Sequence, residues 1–106
     1  MFEQLGGLME MVKKVQQNVD AVQQQLKQET IDVSSGDVLK VCINGQQELV
    51  AIELNPKYLT ADNAALIQDL LVATLNNALG KSRQMNQTAI AKVAEDMNLP
   101  KIPGLF

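Results

Sequence analysis

The residues Leu5, Leu8, Val12, Val15, Val19, Val22 and Leu26 recur at alternating steps of three and four, so the first quarter of the chain carries an unbroken heptad stripe. Such a stripe fixes a helix and gives it an apolar seam narrower than that of an ordinary globular helix, which calls for a partner helix. The heptad e and g positions hold Met9, Met11, Gln16, Asn18, Gln23 and Gln25. No charge there selects a partner or an orientation. Gly6 and Gly7 weaken the first turn, and the helix is expected to be firm from Leu8 to Lys27.

After Glu29 the periodicity changes from helical to alternating. Thr30 to Val33 is a short strand candidate, and Ser34-Ser35-Gly36-Asp37 is a turn. Val38 to Asn44 and Glu48 to Leu54 are better strands, flanking Asn44-Gly45, a dipeptide that supplies the positive φ values of a hairpin. Leu39, Val41 and Ile43 share one face of the first, and Val50, Ile52 and Leu54 share one face of the second. That apolar face is expected to meet the helices. Asn55-Pro56 stops the strand.

A second long helix is predicted from Ala61, with Thr60 as its N-cap and Asp62 favourably placed in its first turn. Its apolar arc is wide from Leu66 to Leu79 and narrows beyond Gly80 to Met85, Ala89, Ile90, Val93 and Met97. Gly80 marks an expected bend, and Asn98 with Pro100 ends the run. The chain reads as one α+β domain over residues 1–98, ordered α-β-β-β-α, with a flexible tail at 99–106.

Composition removes several functions. The chain has 106 residues, a formal charge of −3, no His, one Cys and no Trp. The acidic balance gives no overall attraction to nucleic acid, so any such binding must come from a local basic patch. A lone Cys42 within a strand, without a His to activate it, reads as an inert thiol in a reducing, cytoplasmic setting. Neither the spacing of a metal site nor that of a phosphate-cradling loop is present. No apolar run is long enough to span a membrane, and the N-terminus does not read as a signal peptide. The chain is expected to need no cofactor, act on no small-molecule substrate and catalyse no reaction.

The order of elements, the Val41-Cys42-Ile43-Asn44-Gly45 strand end, Val50 through Pro56, Asp69 to Ala73 with Asn76-Asn77-Ala78 after it, and the Leu-Pro-x-x-Pro-Gly tail together resemble the YbaB/EbfC family of nucleoid-associated proteins. The likeness covers nearly the whole chain. It departs at Asn55, where Asp usually precedes the proline, and at Asn77, where Asp usually follows Asn. The resemblance implies a nucleoid-associated homodimer whose sheets join the subunits, with helices projecting like tweezer arms, that binds duplex DNA with little sequence preference.

On that reading the candidate contacts are Lys13 and Lys14 on the first helix, with Lys81, Arg83 and Lys92 on the last, five of the nine basic residues. Gln16, Gln17, Gln84, Asn86 and Gln87 are amides available for hydrogen bonds to the DNA backbone. Glu10, Asp20, Glu95 and Asp96 on the same arms repel phosphate, so modest and salt-sensitive affinity is expected. The alternative is a protein-interaction or holdase module built on the uncharged heptad seam and the apolar tail, a reading the acidic balance favours.

Overall fold

The computed structural model of the chain describes residues 2–97. Helix α1 (Phe2–Gln28) leads into three strands, β1 (Thr30–Ser35), β2 (Leu39–Asn44) and β3 (Leu49–Leu54). Two single-turn 3-10 segments, Pro56–Tyr58 and Ala61–Asn63, then precede helix α2 (Ala64–Asp96). The strands form one antiparallel sheet in the order β1-β2-β3. The expected α-β-β-β-α arrangement is therefore the observed one. The expected tail at 99–106 and the last residue of the 1–98 domain lie outside the described residues.

Alternation along β2 decides the core. Leu39, Val41 and Ile43 point to one side and are buried with Val33 of β1 and Ala78 of α2, ringed by half-buried Ile31, Leu70, Leu71, Leu75 and Leu79. Each aliphatic side chain taken fully from water contributes about 1.5–3 kcal/mol, so this layer is the main source of stability. Strand β3 behaves differently. Val41 pairs with Ile52 and Leu39 with Leu54, and directly opposed residues share a face. Yet Val41 is 0% and Leu39 3% exposed, whereas Ile52 is 44% and Leu54 37% exposed. Helix α2 lies over β1 and β2 and leaves β3 uncovered. The expectation that the apolar face meets the helices holds for β2 and fails, within one chain, for β3.

The β2–β3 hairpin also departs from expectation. Its positive φ falls at Gln47 (59°), not at Gly45, and a bulge shifts the register beyond Cys42, where Ile43 pairs with Leu49. The loop is closed by the Asn44 N–H donating to the Glu48 carbonyl at 3.0 Å. The Asn44 side-chain oxygen accepts from the N–H groups of Gln46 and Glu48 at 2.9 and 3.0 Å. Gly45 serves close approach. A Cβ there would stand 2.7 Å from Met85 Cε, 2.8 Å from Leu26 Cδ2 and 2.9 Å from Leu26 Cβ. Its N–H donates to the carbonyls of Leu26 (2.9 Å) and Glu29 (3.1 Å), sharing the Leu26 acceptor at the end of α1 with the Glu29 N–H (3.3 Å).

Helix α2 begins three residues later than expected, because residues 61–63 wind as a 3-10 turn and Thr60 makes no side-chain capping bond. Before it, Asn55 accepts from the Lys57 N–H and donates to the Asp37 carbonyl, each at 3.0 Å. An aspartate at 55 would keep the first bond and lose the second. Beyond it, α2 runs through Gly80 as one continuous helix instead of ending or restarting there.

The heptad seam is covered over only part of its length. Leu26 is buried and Val22, Val19 and Val15 are half-buried, while Val12, Leu8 and Leu5 are exposed. As expected, the seam meets Met85, Ala89 and Val93: Val22, Leu26, Ala89 and Val93 line one cleft, and Met85 closes on Leu26 at Gly45. The last described contact of α2 is Asn18 Nδ2 donating to Met97 Sδ at 3.2 Å. The result is an elongated body, 72 × 23 × 17 Å.

Replacing Gly45 with Ala forces α1 away from the hairpin and is expected to cost about 1–3 kcal/mol of stability. Gly80→Ala, which meets nothing within 4 Å, is expected to gain about 0.5–1 kcal/mol from helix propensity. Urea unfolding followed by circular dichroism measures both, and equal stability of the two variants would contradict the packing described at Gly45.

Candidate nucleic-acid interface

The arms are fixed to the sheet by a polar cluster at the tip of the β2–β3 hairpin. Ser82, fully buried on α2, donates its hydroxyl to the Asn44 carbonyl at 2.6 Å and accepts from the Gln47 N–H at 3.0 Å. Asn86, one turn further, donates to the Gly45 carbonyl at 2.9 Å and to Gln23 Oε1 of α1 at 3.2 Å. Gln46 Nε2 donates to the Gln23 carbonyl at 2.7 Å. One loop therefore holds both helices. No buried side-chain nitrogen or oxygen among the described residues lacks a partner.

This cluster corrects the reading of the amides. Asn86, expected to face DNA, is half-buried and bonded within the fold, and Gln16 and Gln84 are turned to Asp20 and Thr88 on their own helices. Sequence reasoning missed Ser82 as well. Its signal was position: it follows Thr74 and Ala78 at steps of four on the buried side of α2.

All five candidate cations are exposed: Lys13, Lys14, Lys81, Arg83 and Lys92. Among the described residues the one ion pair is Lys40–Glu53 at 3.3 Å on the sheet, so none of the five is bound to a carboxylate there. Lys13 and Lys14 sit on the part of α1 that projects past the described end of α2, and each lies about 130° around the helix from the seam. Lys81 and Lys92 line a common groove with Leu26, Glu29, Ile31 and Met85. Arg83 lies about 200° around α2 from Lys81, on the other flank. Within one chain the structure thus brings Lys81 and Lys92 together and leaves Arg83 and the Lys13–Lys14 pair apart from them. Glu29 beside Lys92, with Asp96 in the adjoining cleft, lowers the local potential.

The remaining ionisable chemistry is sparse. Tyr58 Oη donates to Asp37 Oδ1 at 2.8 Å, and this bond, aided by partial desolvation and the carboxylate's charge, raises the phenol above its usual value of 10.0. It braces the corner between β3 and α2. Cys42, half-buried, is opposed by Asp32 and Ala51. Among the described residues no group of three or more His, Cys, Asp or Glu could hold a metal ion, and no helix is long and apolar enough to cross a membrane.

A family model described as the YbaB/EbfC DNA-binding family matches residues 1–97. The chain belongs to this family. Its relatives include a nucleoid-associated protein of Syntrophobacter fumaroxidans, 34% identical over 101 residues and covering 92% of each chain. One from Desulforamulus reducens is 34% identical over 103 residues, covering 96% of this chain and 95% of its own. Among solved structures, an uncharacterized protein from Helicobacter pylori superposes with a TM-score of 0.70 at 22% identity, covering 92% of this chain and 97% of that one. That likeness is one of fold alone. The residue patterns that first resembled the family thus lie on a chain that is a member of it.

Truncating Ser82 to Ala leaves the Asn44 carbonyl and the Gln47 N–H unpaired in a buried site, at a cost of about 1–3 kcal/mol. Thermal unfolding is the measurement. A shift no larger than that of an exposed control such as Gln87→Ala would show that the cluster does not hold the arms.

Proposed function

We propose that the protein is a cytoplasmic, homodimeric member of the nucleoid-associated group that binds duplex DNA through its phosphates, with relaxed sequence preference, and thereby influences nucleoid organisation and gene expression. The match of residues 1–97 to a DNA-binding family carries this reading. Exposed Lys13, Lys14, Lys81, Arg83 and Lys92, none paired with a carboxylate among the described residues, are its candidate contacts. Lysine and arginine neutralise phosphates and release counterions whatever the sequence, and phosphate contacts position a protein without reading bases.

The dimer rests on β3. Its residues are exposed throughout, Leu49, Val50, Ile52 and Leu54 among them, and Leu59 and Leu66 of the following segment are exposed as well. A protomer that leaves one apolar strand of its sheet in water gains by pairing that surface with a second copy. Two copies also supply what one chain lacks, two sets of arms whose basic residues approach a duplex from more than one side.

Converting the five basic residues together to Gln is expected to weaken duplex binding similarly for unrelated sequences. The slope of log K against log salt flattens by about 0.9 for each phosphate that is no longer neutralised. Fluorescence anisotropy across a salt series measures both, and unchanged affinity and slope would exclude these residues from the interface. Absence of any duplex binding at low salt, with stoichiometric capture of a protein instead, would favour the interaction-module reading.

Sedimentation tests the dimer separately. Ile52→Asp with Leu54→Asp is expected to convert a dimeric species to a monomer, and a wild-type chain that is monomeric at micromolar concentration would overturn the dimer.

A further inference from the structure

The contact between the two helices is an apolar stripe, in which Val22 and Leu26 of α1 share a cleft with Ala89 and Val93 of α2. Apolar burial is non-directional, so such a stripe resists separation of the helices better than it resists a roll of one about its own axis. No charge at the flanking positions restores a direction. Hydrogen bonds between the helices are what remains to fix the roll.

The two flanks of the stripe differ in this respect. Gln23 and Gln25 stand about 80° to either side of it. Gln25 Nε2 donates to Glu29 Oε1 at 3.2 Å on its own chain segment and does not reach α2. Gln23 crosses. Its Oε1 accepts from Asn86 Nδ2 at 3.2 Å and its Nε2 donates to Asn86 Oδ1 at 3.4 Å, a reciprocal pair of amides. Asn86 is itself held, since its Nδ2 also donates to the Gly45 carbonyl at 2.9 Å. Among the described residues, the one other side-chain hydrogen bond between α1 and α2 runs from Asn18 to the Met97 thioether, a weak acceptor.

We propose that Gln23 is a positioning residue, which by pairing with Asn86 on one flank sets the roll of α1 and thereby aims Lys13 and Lys14 without touching them. The lever is long enough to matter. The two lysines lie about 14 Å further along the helix, and a roll of about 30° carries a side-chain tip at the helix surface through about 3 Å. That is the length of one hydrogen bond to a phosphate. The setting of the roll stands on the hydrogen bonds alone, whereas its use in binding rests on the proposed contact of these lysines with DNA.

Gln23→Met removes the pair while leaving the bond from Gln46 to the main-chain carbonyl at that position and the bond from Asn86 to Gly45. Gln23→Glu keeps an acceptor for Asn86 Nδ2. Nitroxides at Gln17→Cys and Gln87→Cys, in the full chain with Cys42→Ser and diluted with unlabelled chain, report the setting of the helices by pulsed electron resonance. The expected result is a distance distribution that broadens at least about twofold with Gln23→Met and narrows again with Gln23→Glu. An unchanged distribution in Gln23→Met overturns the proposal, as does equal broadening by Gln25→Met on the opposite flank. Duplex binding, measured without labels, is expected to weaken about threefold to tenfold with Gln23→Met, the equivalent of one ordinary hydrogen bond. In a chain that already carries Lys13→Gln and Lys14→Gln, the same change is expected to add nothing. An equal loss in both backgrounds would overturn the aiming of the lysines. Absence of duplex binding by the unaltered protein would instead refute the DNA reading, and the distance measurement would still decide whether Gln23 sets the roll.

Discussion

The structure depends on one junction, where the tip of the β2–β3 hairpin presses into the angle between the two helices. Gly45 makes it possible. Its bare Cα lets Leu26 and Met85 close over the turn, while its N–H takes the carbonyls of Leu26 and Glu29 and its carbonyl accepts from Asn86. Ser82 and Gln47 lock the same loop to α2. The apolar contact and the polar cluster are mutually dependent. Exclusion of water by Leu26 and Met85 strengthens the hydrogen bonds beside them, and the satisfied bonds offset the desolvation of the polar groups buried there. Beyond this point the helices are held by one stripe of contacts that thins toward Asn18 and Met97. The arms are therefore rigid at the root and least constrained at the tip.

Charge on the arms must be considered locally. A net charge of −3 opposes approach to DNA at long range, but ionic screening shortens that opposition to about 8 Å at physiological ionic strength. Within that distance the field is set residue by residue, and Lys81 and Lys92 share their groove with Glu29. On the proposed function, such a field favours positioning on a phosphate backbone over recognition of a base pattern. The arms' exposed polar groups, amides and ammonium heads, sit on long side chains that adapt to a backbone more readily than they fix a bidentate geometry.

Much of the fold was legible because its elements carry strong periods. Seven heptad positions define α1, and the alternation Leu39-Val41-Ile43 sets the inward face of β2. What escaped was governed by tertiary contact. Asn44-Gly45 reads as the source of the hairpin's positive φ, yet the loop uses its glycine for closeness to Leu26 and places the positive φ at Gln47. Thr60 has capping chemistry, but the 3-10 turn at Ala61–Asn63 moves the helix start past its reach. Asn86 is indistinguishable in sequence from Gln87. Only the position of the hairpin makes one structural and leaves the other exposed. Of the site, residue type identified the cations, while their grouping into Lys81–Lys92, Arg83 and Lys13–Lys14 required the helix faces and the end of α2.

The two uncovered apolar surfaces differ in kind, and the difference bears on how the molecule works. On β3 the exposed side chains are part of a sheet face whose other half is already core. Covering them adds to an existing layer and is worth most when a flat, similarly shaped surface is brought to it. On α1 the exposed stripe has no second row. Helix-on-helix packing there would extend the arm's thickness and compete for the same length of surface that carries Lys13 and Lys14. A flat apolar sheet face suits a broad partner, whereas a single stripe along a helix offers no breadth to hold one.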